Sequence, residues 1–197
     1  MELQKPGVAQ QVKATKYDRH YIAGGFGYSP EQQKKWLEEN TPLFTSRFSN
    51  NKKTLLDVGC GDGFWSLLLR DQFDVTAEDT SLGGVLMGSS KDVEEKVSWI
   101  CADSRQLEKK YDIIFARGPS FFNKPLDDAE FLEAFDIIWE RAKETLFWTM
   151  YSTAPFCSYH DGSLYHHDPI KLEEFLSQYG EASVAYKDNY IWAELRR

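Results

Sequence analysis

From Lys53 to the C-terminus, compact apolar runs alternate with segments whose apolar positions recur every three or four residues. KTLLDVG, FDVTAED, VSWICAD, YDIIFARG and TLFWTMYS have the length and density of buried strands. Between them, FWSLLLRDQ places Phe64, Leu67 and Leu68 on one helical face, and SLGGVLMGSS reads as a glycine-interrupted helix. DDAEFLEAFDIIWERAKE predicts a longer helix running to Glu144: acidic at its start, basic near its end, and apolar at Phe131, Leu132, Phe135, Ile138 and Trp139. The stretch after the fifth strand, YSTAPFCSYHDGSLYHHDP, shows neither period and reads as a loop. PIKLEEFLSQYG then predicts a helix, and ASVAYKDNYIWAELRR two strands around a turn at Lys187-Asp188-Asn189.

Strands alternating with helices require a mostly parallel sheet covered on both faces, and the closing hairpin adds an antiparallel C-terminal strand. The expected fold is therefore α/β, doubly wound around seven strands. Upstream, SPEQQKKWLEEN predicts a helix with Ser29 as N-cap and Pro30 at its first position, and PLFTSRF a second short one. Without a repeat or linker, residues 1–197 read as one domain, with N-terminal helices over 1–50 and the sheet over 51–197.

Composition narrows the function. Forty-two per cent hydrophobic and 15% aromatic residues supply a sizeable core, and a net charge of −8 disfavours an extended grip on nucleic-acid phosphates. Cys60, Cys101 and Cys157 are far apart with no C-x-x-C pair, which argues against disulfides and zinc knuckles and for reduced intracellular thiols. The opening residues lack the apolar core of a signal peptide, and no run is long enough to span a bilayer, so a cytoplasmic protein without membrane contact is expected.

The turn LLDVGCGDGFW carries the chemistry. At a strand-to-helix turn of a parallel sheet, Gly59, Gly61 and Gly63 let the backbone bend sharply and approach a ligand. A dinucleotide site would space its glycines G-x-G-x-x-G to seat a pyrophosphate, whereas this turn is G-x-G-x-G flanked by Asp57 and Asp62. Carboxylates there repel a pyrophosphate and suit a ligand with cationic or hydroxyl groups. Asp79 ends the second strand about twenty residues after Gly59, the separation expected of a ribose-binding acid. Glu78 is the alternative, although strand alternation turns it to the other face. Asp103, at the end of the third strand, is placed to accept from an exocyclic amine such as that of adenine, or to cap the turn that follows.

LLDVGCGDGFWS, the acid after VTAE, the AD of ICADS and the strand YDIIFARG together resemble the class I S-adenosylmethionine-dependent methyltransferases, over the span from Lys53 to the C-terminus. The resemblance implies a Rossmann-like sheet and S-adenosylmethionine as cofactor, with S-adenosylhomocysteine as product. It implies that Asp57, Gly59, Cys60, Gly61 and Gly63 face the methionine part, Asp79 and Thr80 the ribose, and Asp103 with Ser104 the adenine. Arg117 to Ser120 would line the reacting end. The segment YDRHYIAGGFG is similar to the lid of the family's small-molecule members, with Tyr17 and Tyr21 on one helical face closing on the cofactor.

Methyl transfer from a sulfonium needs mainly in-line positioning, with a general base only if the acceptor must lose a proton. The aromatic and histidine-rich loop after the fifth strand supplies candidates: His160 as base with His166 or His167 behind it, and Tyr151, Tyr159 and Phe121 as substrate wall. His167 and Asp168 directly precede a helix and read rather as its cap. Arg117 is a candidate for a substrate carboxylate as well as the cofactor. The H-D-x-x-x-x-H-H run fits no usual metal-ligand spacing, so no metal is expected. The expected reaction is methyl transfer to O, N or S of a small molecule. The alternatives are a nicotinamide-dependent oxidoreductase, an aminopropyltransferase, or a non-catalytic adenosyl-ligand-binding protein.

Overall fold

Seven strands form one sheet in the order β3-β2-β1-β4-β5-β9-β8. In the computed structural model, which describes residues 15–23, 31, 35, 52–151, 158–160, 164–187 and 190–197, these are β1 (Thr54–Val58), β2 (Asp74–Asp79), β3 (Val97–Cys101), β4 (Tyr111–Arg117), β5 (Ala142–Tyr151), β8 (Glu181–Lys187) and β9 (Tyr190–Arg196). β1 pairs in parallel with both β2 and β4, while the last strand, β9, runs antiparallel to β5 and β8. The chain thus has the α/β, mostly parallel sheet with an antiparallel C-terminal strand that the alternation of apolar runs predicts. Strand order reverses between β1 and β4, and this switch point opens a crevice at their carboxyl ends.

Both faces of the sheet are covered, which is why its strands read as continuous apolar runs. On one face Leu56, Ile114 and Trp148 pack against helix α4 (Ala129–Arg141) through Phe131, Phe135 and Ile138, and against α5 (Pro169–Leu176) through Leu172. On the other, Leu55, Val75 and Phe115 meet Trp65 and Leu69 of α2 (Phe64–Leu69). Helix α3 (Leu82–Lys91) follows β2, with Ser81 as its N-cap. Asp128 caps α4 and Asp168 caps α5, where Pro169 stands in the first turn.

Two local features differ from the sequence pattern or escape it. The helix predicted to reach Glu144 ends at Arg141, because Ala142 turns extended and pairs with Tyr111 at the start of β5. The stretch expected to be a loop contains a separate hairpin of β6 (Ser158–His160) and β7 (Leu164–His166). Strands of three residues are too short for alternation to be visible. Of the two helices predicted within residues 29–48, only Glu31 and Lys35 are described, both helical, and the rest lies outside the described residues. The turn at Asp188-Asn189 also lies outside them, although Lys187 pairs with Tyr190.

Candidate active site

The three glycines of the first turn all have positive φ, but for different reasons. Gly59, Gly61 and Gly63 sit at φ 68°, 58° and 77°. A Cβ on Gly61 would lie 2.3 Å from the Tyr21 hydroxyl, and one on Gly63 would lie 2.2 Å from the Trp99 ring. Those two positions are glycine because protein already fills the space. A Cβ on Gly59 would meet nothing nearer than Pro119 at 3.7 Å, and of the three only Gly59 lines the crevice.

The crevice holds about 200 Å³ and opens to solvent. Asp79, Thr80, Asp103, Ser104 and Arg117 line it, as do Phe121 and both predicted tyrosines, Tyr17 and Tyr21. Asp79 Oδ2 accepts the Gly61 amide at 2.8 Å and its Oδ1 accepts the Ser81 amide at 2.7 Å, so this carboxylate also locks the glycine turn to the start of α3. Burial raises its pKa against those two hydrogen bonds. Glu78 lines the crevice too, although it is only 2% exposed.

Asp103 does two structural jobs at the crevice wall. It caps the 3-10 turn Ser104–Gln106 by accepting the Arg105 amide at 2.9 Å, and it forms a forked ion pair with the Arg105 guanidinium, closest at 2.6 Å. That pair holds the Asp103 carboxyl below the usual range. Arg105 lies 5.7 Å from the Phe121 ring centre, and Arg141 reaches from the end of α4 to the carbonyls of Ser104 and Arg105. Sequence reasoning missed both arginines and had Glu78 turned away. The only signal was an Arg two residues after the strand-ending acid.

Some predicted residues stand elsewhere. Asp57 is buried beneath α2, where the Ser66 hydroxyl donates to it, and burial pushes its pKa up to about 7. Neither it nor Cys60 is among the residues at the crevice wall, and burial holds the Cys60 thiol well above its ordinary value. Tyr151 ends β5 opposite Tyr190, and Tyr159 and His160 stand in β6 opposite Tyr165 and Leu164. The side chains of these three lie outside the described features. His167 does not cap α5, a role Asp168 fills alone. It is fully buried, with Nε2 3.0 Å from the Phe122 carbonyl. Together with the Tyr165 amide, which donates to Asn123, it ties the hairpin to the 3-10 turn Ser120–Phe122 at the crevice rim.

Helix α1 (Lys16–Ile22) brings the two tyrosines to the site. Thr15 and Asp18 form a reciprocal capping box. Asp18 Oδ1 also accepts from the Ser81 hydroxyl and the Gly83 amide, each at 2.8 Å, which pins α1 to α3. Burial would raise the Asp18 pKa, but the hydrogen bonds from Gly83, Ser81 and Thr15 outweigh it and lower the value to about 2. Asp18→Ala is expected to raise amide hydrogen exchange throughout α1 at least tenfold, since hydrogen bonds to a charged acceptor are worth roughly 1.5–3 kcal/mol each. The folded pKa is depressed, so the docking is intact above about pH 4 and lost as pH falls toward 2.

No family model matches the chain. Malonyl-[acyl-carrier protein] O-methyltransferase from Priestia megaterium is 28% identical over 116 residues, covering 56% of this chain and 42% of that protein. The chain therefore spans less than half the length of this curated relative. Among solved structures, magnesium protoporphyrin IX methyltransferase from Synechocystis PCC 6803 with bound SAH superposes with a TM-score of 0.67 at 16% identity, covering 91% of this chain and 93% of that one. The DhpI–SAH complex gives 0.69 at 16% identity, covering 92% of each. The chain has the fold of the class I S-adenosylmethionine-dependent methyltransferases and resembles them along its sequence as well.

Proposed function

We propose that this protein transfers a methyl group from S-adenosylmethionine to a small-molecule acceptor. The observation that carries this reading is the crevice itself. It opens at the switch point of this fold, with Gly59, Asp79 and Asp103 from three successive strand ends on its wall. Its fit to an adenosyl ligand is supported by two features. Gly59 leaves the wall open where a side chain would stand, and Glu78 Oε2 is buried without a hydrogen-bond partner.

In this reading the cofactor supplies an electrophilic methyl carbon, which needs no activation by the protein. The chain's own work is to bind, orient and exclude water. Asp79 accepts from the ribose hydroxyls while holding the glycine turn through the Gly61 amide. Asp103 and Ser104 border the adenine end, with the forked pair to Arg105 fixing the Asp103 carboxyl. Tyr17 and Tyr21 close the crevice from α1, and burial raises the Tyr21 hydroxyl far above its ordinary pKa, so it stays a neutral donor. Arg117, Pro119 and Phe121 border the acceptor end, where Arg117 suits an anionic group on the acceptor. His160 is the general base wherever the acceptor must lose a proton. The relative named as a malonyl-[acyl-carrier protein] O-methyltransferase supports an oxygen acceptor.

Calorimetry with S-adenosylmethionine and S-adenosylhomocysteine tests the proposal. Wild-type protein binds both, and Asp79→Ala weakens both by about tenfold or more, the loss expected for charge-assisted hydrogen bonds. Binding of NADH in their place would overturn the reading in favour of an oxidoreductase. A protein that binds the cofactor but turns over no acceptor in a broad panel would be an adenosyl-ligand-binding protein instead.

A further inference from the structure

Glu78 is the least expected residue of the crevice. It belongs to a strand whose neighbouring positions are apolar: its register partners are Val58 on β1 and Ile100 on β3. A carboxyl at such a position loses nearly all its water, with a free-energy cost that only hydrogen bonds or an opposite charge can offset. Hydrogen bonds are present in part. The nearby Gly59 amide and Ser104 hydroxyl lower its pKa, yet Oε2 has no partner. Opposite charge is near but outweighed: Arg141 acts on it, and Arg105 and Arg117 line the same crevice, yet the charges acting on Glu78 most strongly are the carboxylates of Asp79 and Asp103.

The other acids of the region are already accommodated. Asp103 is paired with Arg105, Asp79 accepts two backbone amides, and Asp57 lies beneath α2 with Ser66. Among the described residues, Glu78 alone combines a place at the crevice wall, burial and a missing partner. Gly59 and Ser104, the two groups that act to lower its pKa, belong to the glycine turn and the turn after β3, and both line the same crevice.

We propose that Glu78 recognises positive charge in the ligand, so that the site favours the sulfonium of the cofactor over the neutral thioether that methyl transfer leaves behind. This rests on the methyltransferase reading above. Burial next to two carboxylates raises the Glu78 pKa well above its ordinary value, so a cation entering the crevice favours its ionised form. A cation a few ångströms away stabilises the ionised carboxylate, and the attraction is strong because the site is poor in water. Once the methyl group has moved, the ligand is neutral, the attraction is gone, and release of product is favoured. The general consequence is a ligand preference set by charge rather than by shape.

The test compares three ligands by calorimetry at pH 7.5: S-adenosylmethionine, S-adenosylhomocysteine, and an analogue with an ammonium in place of the methylsulfonium. Glu78→Gln should weaken the two cationic ligands roughly tenfold and change the thioether by less than about twofold. Glutamine matches the uncharged carboxyl in shape, so the variant is expected to melt at or above the wild-type temperature. Glu78→Asp, which keeps the charge, should retain the cationic preference even where all three affinities fall. Equal weakening of all three ligands by Glu78→Gln would make the residue a ribose or packing contact and overturn the inference alone. So would unchanged affinities. Wild-type protein that binds none of the three overturns the methyltransferase reading itself.

Discussion

Gly63→Ala is expected to lower the free energy of unfolding by roughly 3–5 kcal/mol, far more than alanine at Gly59. The two positions share a left-handed backbone, φ 77° and 68°, so each loses about 1–2 kcal/mol from that conformation. Only at Gly63 does the new methyl collide with the fold: it would stand 2.2 Å from one carbon of the Trp99 ring and 2.7 Å from the next, with the Gly88 backbone 3.3 Å away. The ring cannot swing aside cheaply, because its Nε1 donates to Asp92 and Gly88 presses on it from α3. Urea unfolding of both variants checks this. In a double-mutant cycle with Trp99→Ala, the coupling should account for most of the difference between the two glycines, the part due to the clash. Equal losses at Gly59 and Gly63 would contradict the packing account.

The second large effect is on acid stability. Burial holds His167 neutral with its pKa lowered to about 4, partly offset by the Phe122 carbonyl and reinforced by His166. The unfolded chain takes up a proton on this residue near pH 6.5 and the folded chain does not. Stability from His167 is therefore complete above about 6.5 and is lost as pH falls toward 4, by about 3 kcal/mol. Asp57 tilts the curve the other way over an overlapping window. Its folded pKa is raised to about 7, so its contribution is present below about 4 and lost as pH rises to 7. The His167 effect is consequently read as a difference. His167→Gln keeps a donor for the Phe122 carbonyl but does not titrate, and its stability should change less than that of wild type between pH 7 and 4. Parallel profiles for the two proteins would place the acid-sensitive group elsewhere.

The same residues explain how far the chain could be read in advance. The sheet was legible because a strand buried on both faces must be apolar throughout: LLDV, FDVT and YDIIF announce themselves regardless of partners. Helix α4 was legible because one face meets the sheet, though its end was not, since Ala142 is extended only through its pairing with Tyr111. The β6–β7 hairpin was illegible because three-residue strands carry no period. At the site, the acids at the strand ends were visible as residue types, while their engagements were not. Asp103 ends the third strand in the sequence, but only the fold brings Arg141 from the far end of α4 to hold the turn that carries Arg105.

By itself, the sequence determined the α/β alternation, the glycine turn and the acids that follow β1, β2 and β3, because those follow from local periodicity and backbone permission. Only the tertiary structure decided what each glycine is for. In the chain Gly59, Gly61 and Gly63 look equivalent, yet Tyr21 from α1 occupies the space beside one and Trp99 from β3 the space beside another. It also decided that Glu78, on the face opposite Asp79, reaches the same crevice. The reason is physical: whether a group is paired, clashing or exposed depends on atoms tens of residues away, and close packing alone brings those atoms together.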